Sequence, residues 1–308
     1  MSSTPPFRFG LQVLLTDSRA ALLAVGRRAE ELGFDTVVVA DHIVDGLLAP
    51  VATLAALAGA TTRVRLGTLV LNNDWRHPAL LAREAATLDL LSDGRLELGV
   101  GAGHAAPEYA EVGLPFDPPA ARVARLEESV GILRRLFDGE TVSVDGASYH
   151  LAEHRLFPLR RPRLLVGGNG DRVLRLAARE ADIVGFTGLG RTRADGQTHD
   201  VAWDEASVDA KVGVVRDAAG PRLPALELNA LVQQILLTDD RDEAIAPMAS
   251  FTGVEPATLL ASPYVLVGSV PQIVEQLHRA RERWGFSYFV TRDADATAPV
   301  IERLRRGS

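Results

Sequence analysis

The sequence contains no cysteine among its 308 residues. This absence excludes disulfide bonds, thiolate catalysis, iron–sulfur clusters and cysteine-ligated zinc. The seven histidines show no metal-ligand spacing such as H-E-x-x-H, so we expect no metal site. The G-x-S-x-G motif is missing as well, and the sequence therefore offers no nucleophile elbow of the α/β-hydrolase kind.

Excess positive charge and long apolar runs are also missing. The formal net charge is -7, which argues against nucleic acid or an anionic membrane as the main partner and leaves open a local basic pocket for an anionic cofactor. No apolar run approaches the ~20 residues that cross a bilayer, and residues 1–6 lack the features of a signal peptide. We therefore expect a cytoplasmic protein.

Along the chain, a short β-branched run is repeatedly followed by an amphipathic run rich in Ala, Leu, Arg and Glu. Eight such alternations favour an α/β fold of the (β/α)8 TIM-barrel type, and the alternative is a doubly wound open sheet. The predicted strands are Phe7–Leu15, Thr36–Ala40, Val64–Leu71, Arg95–Val100, Leu164–Val166, Asp182–Phe186, Ala225–Thr238 and Ser287–Thr291.

The alternation pauses once, at 141–151, where Asp145-Gly146 predicts a short hairpin. No linker rich in Pro, Gly or Ser divides the chain, so one domain over residues 1–308 is expected. The segment 187–203 is polar and rich in glycine, and it is interpreted either as a lid over the site or as a surface loop.

In TIM barrels the chemistry lies at the C-terminal ends of the strands, so polar residues there are the first candidates. Asp41-His42 follows the second strand, where a histidine can exchange protons near neutral pH; a capping aspartate beside a packed histidine fits equally well. Asn72 follows the third strand and Arg292 the eighth. One amide of the pair Gln233-Gln234 is expected to face the barrel mouth.

Two glycine-rich segments need separate interpretations. Gly167-Gly168-Asn169 joins the fifth strand to a helix, which suits either a phosphate held by backbone amides or simply a tight turn. In RLELGVGAGHAAPEY, the spacing G-x-G-x-G puts His104 where a dinucleotide fingerprint has its last glycine, so that reading is rejected. No helix is expected directly after this run, because Pro107 and Gly113 interrupt it.

The segments FGLQV, AEELGFDTVVVADH, RVRLGTLVLNNDWRHPALLAREAATLDLLSDGRLELGVGAG, EYAEVGLPFDPPAARVARLEESVGILRRLF, VGGNG and SPYVLVGSVPQIVEQLHRARERWG resemble the luciferase-like family of flavin- and deazaflavin-dependent oxidoreductases. The resemblance runs nearly end to end and is greatest to the F420-dependent branch. It implies a TIM barrel with insertions over its C-terminal mouth, coenzyme F420 as cofactor with FMN as the alternative, and a homodimer.

The resemblance also implies roles for single residues. It implies a cis peptide bond at Leu69–Val70 beneath the ring, proton handling by His42, and a substrate-facing position for His104, where relatives often have tryptophan or, in sugar-phosphate dehydrogenases, glutamate. Small glycines before His104 are expected to leave room for the planar ring. The expected cofactor-binding residues are Asp41, Leu69, Val70, Asn72, Gly101, Gly103 and, at the phosphate, Gly167, Gly168 and Asn169.

Three functions stay open at this point. The preferred one is hydride transfer between F420 and a small organic substrate, with His42 and His104 as the catalytic candidates. The second is an FMN-dependent monooxygenase that uses reduced flavin and oxygen. The third is a non-catalytic protein that binds a flavin-like ligand.

Overall fold

The computed structural model describes residues 5–14, 16–193 and 199–306, with the side chains of residues 191 and 192 left aside. The strands are β1 Arg8–Val13, β2 Thr36–Val39, β3 Arg65–Thr68, β4 Leu71–Asn72, β5 Leu96–Gly101, β6 Thr141–Asp145, β7 His150–Arg155, β8 Arg163–Gly167, β9 Ile183–Phe186, β10 Leu189–Thr192, β11 His199–Val201, β12 Glu227–Leu231, β13 Gln234–Leu237, β14 Val265–Gly268 and β15 Phe286–Thr291.

The helices alternate with these strands. They are α1 Arg19–Glu31, α2 Pro50–Ala58, α3 Pro78–Leu91, α4 Ala106–Glu111, α5 Pro119–Phe137, α6 Asp171–Glu180, α7 Glu205–Ala219, α8 Arg241–Thr252, α9 Pro256–Ala261, α10 Val270–Trp284 and α11 Ala294–Arg306, with 3-10 turns at Asn73–Trp75 and Gly220–Ala225. None of them, among the described residues, is long and apolar enough to cross a membrane.

The main sheet closes on itself. Its parallel strands follow the order β3-β2-β1-β15-β12-β9-β8-β5-β4, and an additional pairing of β3 with β5 completes the ring. Each of the eight predicted strands contributes residues to it, so the TIM-barrel prediction is confirmed and the open sheet is ruled out. The helix starts follow the sequence: Ser18 caps α1 by accepting a hydrogen bond from the Ala21 amide, and Ser269 and Gln272 form a capping box at α10.

The predicted hairpin is also confirmed. Strands β6 and β7 pair antiparallel, and Glu128 of α5 holds their turn by accepting hydrogen bonds of 3.0 Å from the amides of Ser148 and Tyr149. A second hairpin, β10 with β11, follows the sixth barrel strand. Residues 194–198 of the segment interpreted as a lid or surface loop lie outside the described part of the chain.

Two local predictions are wrong. The long strand predicted at Ala225–Thr238 divides into β12 and β13, because the backbone changes partner: the Val232 amide donates to Val290, and the Gln233 amide donates to Tyr264. Strand β13 then pairs with β14 in a separate two-stranded sheet. Helix α4 starts two residues after His104, although no helix was expected there; its Pro107 lies in the first turn, where no backbone donor is needed.

The barrel interior is layered. At the N-terminal ends of the strands, Arg8 donates hydrogen bonds of 2.6 Å to both Glu97 and Glu227. Above this ionic layer lies an apolar one, formed by Val38, Leu69, Leu165, Ile183, Leu231, Tyr288 and Val290. Because side chains alternate along a strand, Arg292 lies on the same inward face as Tyr288 and Val290, one level higher in the mouth.

Candidate active site

The mouth of the barrel brings together two histidines from different strands. His42 follows β2 and His104 follows β5, and their ring centroids lie 5.3 Å apart in an edge-on arrangement. His199 on strand β11 lies on the other side of His104, with 4.9 Å between ring centroids. The structure therefore places both predicted catalytic histidines in one cluster beneath the β10–β11 hairpin.

Glu108 orients His42. The Nδ1 atom of His42 lies 2.7 Å from Oε1 of Glu108, and the other carboxylate oxygen accepts a hydrogen bond from the Ile43 amide. A carboxylate can only accept, so Nδ1 carries the hydrogen and Nε2 is left as the acceptor. The carboxylate is buried, whereas the His42 side chain is 35% exposed. His42 is thus fixed in the tautomer of a general base.

His104 is neutral at physiological pH. Burial, followed by the nearby His42, His199 and Arg122, lowers the pKa of its imidazole to about 4. A neutral ring can donate one hydrogen bond and accept another, but it cannot act as a cationic acid near pH 7. The neutral imidazole of His104 therefore differs from a glutamate at the same position, because an ionised carboxylate would carry a negative charge.

Asp41 serves the backbone of the neighbouring strand. Its carboxylate accepts a hydrogen bond of 2.9 Å from the Asn72 amide and pairs with the Arg76 guanidinium. The Asn72 side chain lies 3.0 Å from the Tyr109 hydroxyl, and it also caps the 3-10 turn by accepting from the Asp74 amide. Asp41 and Asn72 therefore lie side by side at the mouth, and both are engaged with protein groups.

The predicted cis peptide bond at Leu69–Val70 is confirmed. It lies between β3 and β4, and Val70 packs against the apolar layer of the interior. The packing of Val70 explains why glycine occupies two positions around this bond. A Cβ atom at Gly101 would lie 2.7 Å from Val70 Cγ2, and one at Gly167 would lie 2.9 Å from Val70 Cγ1. The space beside these glycines is therefore occupied by Val70 itself.

Gly103 has a different constraint. Its φ of +72° is in the left-handed region, and a Cβ atom there would lie 2.2 Å from the Tyr109 hydroxyl and 2.7 Å from the Asn72 amide oxygen. Only glycine lets the chain turn from β5 into α4 at this point. The turn carries Glu108 to His42, so Gly103 acts on the site through the backbone.

Some of the polar groups in the turn after β8 already have hydrogen-bond partners within the protein. The Gly168 amide donates to the Gly185 carbonyl at 3.2 Å, and the Asn169 amide group donates to Thr187 Oγ1 at 2.6 Å. Helix α6 starts directly afterwards without a side-chain cap, which leaves its first-turn N–H groups available to a ligand. A cavity of ≈ 280 Å³ adjoins this turn, lined by Asn169, Gly170, Phe186, Gly188, Leu189, Gly190, Ala202, Ser207, Val208, Lys211 and Tyr264.

The opposite side of the mouth carries Arg292. Its Nε donates to Gln12 Oε1 at 2.9 Å, and its Nη1 lies 3.4 Å from Gln233 Oε1. Gln233 in turn donates to the Thr187 carbonyl. Of the pair Gln233-Gln234, the first faces the mouth and the second is exposed, which confirms that only one amide does so.

Sequence reasoning missed Glu108, and Gln12 was not singled out. A signal for Glu108 was present: proline followed by glutamate is typical of the first turn of a helix, and APEY begins α4. Among the described residues, no group of three or more His, Asp and Glu side chains is arranged to hold a metal ion.

Known proteins resemble this chain over much of its length. The family model described as luciferase-like monooxygenase matches residues 3–288. The chain is 35% identical over 254 residues to an F420-dependent glucose-6-phosphate dehydrogenase of Nakamurella multipartita, covering 78% of this chain and 71% of that protein. It is 36% identical over 189 residues to a relative of the same name from Microbacterium testaceum, and there it spans only 56% of the relative's length and 58% of its own.

Solved structures share the fold. An F420-dependent secondary alcohol dehydrogenase in complex with an F420-acetone adduct superposes with a TM-score of 0.75 at 21% identity, covering 98% of this chain and 100% of that one. A monooxygenase from Streptomyces bottropensis gives 0.73 at 23% identity, covering 96% of both chains. With a family model that matches almost the whole barrel, the chain belongs to the luciferase-like monooxygenase family.

Proposed function

We propose that the protein is an F420-dependent oxidoreductase that transfers a hydride between the deazaflavin and a small organic substrate. The observation that carries this proposal is the His42–Glu108 pair at the mouth of the barrel, which supplies an oriented base for the proton that accompanies a hydride. The names of the Nakamurella and Microbacterium relatives support F420 as the cofactor.

The residues at the mouth fit a planar, partly polar ring. Val70 is only partly buried and covers the apolar interior, and the backbones of Gly101 and Gly167 pack against it. Asn72 lies at the edge of this platform. A phosphate would be held by the first-turn amides of α6, beside Asn169, rather than by the Gly168 amide, which already has a partner.

In the direction of oxidation, the proposed reaction converts an alcohol to a carbonyl compound. A deazaflavin held at the mouth would supply the acceptor for a hydride. The substrate C–H bond breaks and both of its electrons leave with the hydride, the hydroxyl proton passes to Nε2 of His42, and a carbonyl group remains. Glu108 holds the imidazole during this transfer, and the imidazolium formed lies next to its carboxylate.

His104 is the residue at the mouth that bears most directly on the choice of substrate. The resemblance gives sugar-phosphate dehydrogenases a glutamate at this position, whereas the neutral imidazole here offers no negative charge and no cationic acid near pH 7. We therefore propose that His104 forms a wall of the substrate pocket and hydrogen-bonds to the substrate.

Ligand titration tests the cofactor. We expect purified protein to bind F420 with micromolar affinity, measured by quenching of F420 fluorescence, and to bind FMN at least tenfold more weakly. Binding of FMN with none of F420 would reverse the assignment and favour the monooxygenase alternative, which oxygen uptake with reduced FMN would then identify. If F420 binds and no substrate from a broad set of alcohols and carbonyl compounds turns over, the non-catalytic alternative gains support.

The proposal also includes the working state of the protein. The family resemblance supports a homodimer with one domain over residues 1–308, and the composition of the sequence supports a cytoplasmic location. Sedimentation equilibrium of the purified protein tests the dimer directly, because a monomer of 33.0 kDa is readily distinguished from twice that mass.

A further inference from the structure

We propose that Arg292 binds an anionic group of the substrate, a carboxylate or a phosphate, and that it selects substrates carrying such a group at the end opposite the reacting carbon. This inference rests on the proposed function for the identity of the reaction, whereas the anion site itself rests on Arg292, Gln12 and Gln233. These three side chains lie on the side of the mouth that takes no part in the proposed hydride and proton transfer.

The first observation is that Arg292 lies in the mouth without an anionic partner. It faces inward above Tyr288 and Val290 and is half-buried, yet no carboxylate of the described residues forms an ion pair with it. The adjacent Asp293 is exposed and caps α11 by accepting from the Ala296 amide. Desolvation without a counterion is unfavourable for a cation, and it lowers the pKa of this guanidinium.

The second observation is that the guanidinium is held in place. Gln12 from β1 and Gln233 after β12 accept hydrogen bonds from Nε and Nη1, one on each side. The Nη2 group makes no hydrogen bond to the residues that the structure describes, so it remains available for a ligand. Neutral amides orient the fork without neutralising it, which leaves a preorganised site for an oxyanion.

The third observation is the position of Arg292 relative to His42 and to the turn after β8. Strand β1 separates β15 from β2, so Arg292 and His42 lie two strand spacings apart, about 10 Å along the sheet. A substrate of a few carbon atoms can span that distance from its reacting carbon to its anionic end. The turn proposed for the cofactor phosphate follows β8, three strand positions from β15 in the sheet order. Gln233 and Thr187 lie between Arg292 and Asn169 of that turn, so Arg292 makes no direct hydrogen bond to it.

The kinetic test compares matched alcohols with and without an anionic group: glucose 6-phosphate with glucose, and lactate with 2-propanol, each with F420. We expect the wild type to prefer the anionic member of at least one pair. Arg292→Gln should lower kcat/KM for that member by about 10- to 100-fold and leave the neutral member within twofold. Arg292→Lys should keep part of the preference, because the charge remains and the fork is lost.

The controls separate local from general effects. Arg135→Gln removes an equal charge from an exposed arginine that pairs with Glu140 at the far end of α5, and it should behave as the wild type. Affinity for F420, measured by fluorescence, should be unchanged in Arg292→Gln. A large loss of F420 affinity in this variant would overturn the proposal, because it would assign Arg292 to the cofactor.

A binding test does not depend on turnover. Calorimetry on cofactor-free protein in low-chloride buffer uses inorganic phosphate and lactate as probes. We expect at least one to bind to the wild type and Arg135→Gln, and to bind at least tenfold more weakly to Arg292→Gln. Equal affinities in all three proteins would overturn the anion site, including the case in which phosphate binds only at the α6 turn. Absence of F420 binding would instead refute the proposed function and leave this result standing.

Discussion

His42 Nδ1 and Glu108 Oε1 lie 2.7 Å apart, although 66 positions separate these residues in the sequence. The pair joins the end of strand β2 to the short helix α4, and it gives the mouth of the barrel a base in one defined tautomer. The neutral His104 lies beside it, and Arg292 lies across the mouth. This arrangement allows predictions that separate the roles of these residues.

Substitution of Glu108 tests its role as a positioning residue. Glu108→Gln keeps the size of the side chain but removes the charge that holds His42, and we expect kcat to fall by about 10- to 100-fold. KM, the affinity for F420 and the melting temperature should change little, whereas Glu108→Asp should recover part of kcat. His42→Ala should lower kcat by about 100-fold or more with F420 affinity retained. If Glu108→Gln lost kcat and F420 binding together, its role would be structural.

The stability of the protein is expected to depend on pH through His104. The folded pKa of about 4 is below the ordinary value of 6.5, so the unfolded chain binds more protons between these pH values. Stability therefore decreases as the pH falls through this window, by about 2 kcal/mol between pH 7.5 and pH 5 for this residue alone. Urea unfolding at both pH values should show a smaller decrease in His104→Gln. An equal decrease in both proteins would contradict the prediction.

Substitution of Gly101 tests the packing of Val70. In Gly101→Ala the new methyl group would lie 2.7 Å from Val70 Cγ2 and 3.2 Å from the Gly167 carbonyl oxygen, so Val70 must move. We expect a loss of about 1–3 kcal/mol in the free energy of unfolding and weaker F420 binding. Gly131→Ala is the matched control, because Gly131 lies in α5 with open space around it and should tolerate alanine. Similar F420 affinity in the two variants would show that the Val70 platform does not contact the ring.

The ionic layer at the other end of the barrel should be important for stability and not for selectivity. Glu97 is 2% exposed and accepts hydrogen bonds from Arg8 at 2.6 Å and Arg65 at 2.7 Å. Glu97→Gln leaves these cations under-compensated and should cost about 3–5 kcal/mol in urea unfolding. Glu140→Gln, which removes the exposed partner of Arg135, should cost less than about 1 kcal/mol. Comparable losses would contradict the assignment.

Much of the site could be predicted because it lies at strand ends. Alternating β-branched and amphipathic runs located all eight barrel strands, and the residues after them include His42, Asn72, His104 and Arg292. The cis bond at Leu69–Val70 came from the family resemblance and was correct. Whether these residues bind cofactor and substrate remains a prediction that the experiments above address.

Other features could not be read from local sequence. Pro107 was interpreted as an interruption, although it lies in the first turn of α4, and this hid Glu108. The glycines before His104 were expected to make room for a ring, whereas Gly101 makes room for Val70 and Gly103 for Tyr109. Strand β14 was not predicted, because its partner β13 was assigned to the preceding barrel strand.

The sequence by itself determined the eight barrel strands and the polar residues at the strand ends, since these depend on local periodicity and backbone chemistry. Only the tertiary structure decided which of those residues meet. It brought Glu108 to His42, placed His199 on His104, and left Arg292 between two glutamines with no carboxylate partner among the described residues. Closing a barrel brings together groups distant in the chain, and their charge states follow from that burial.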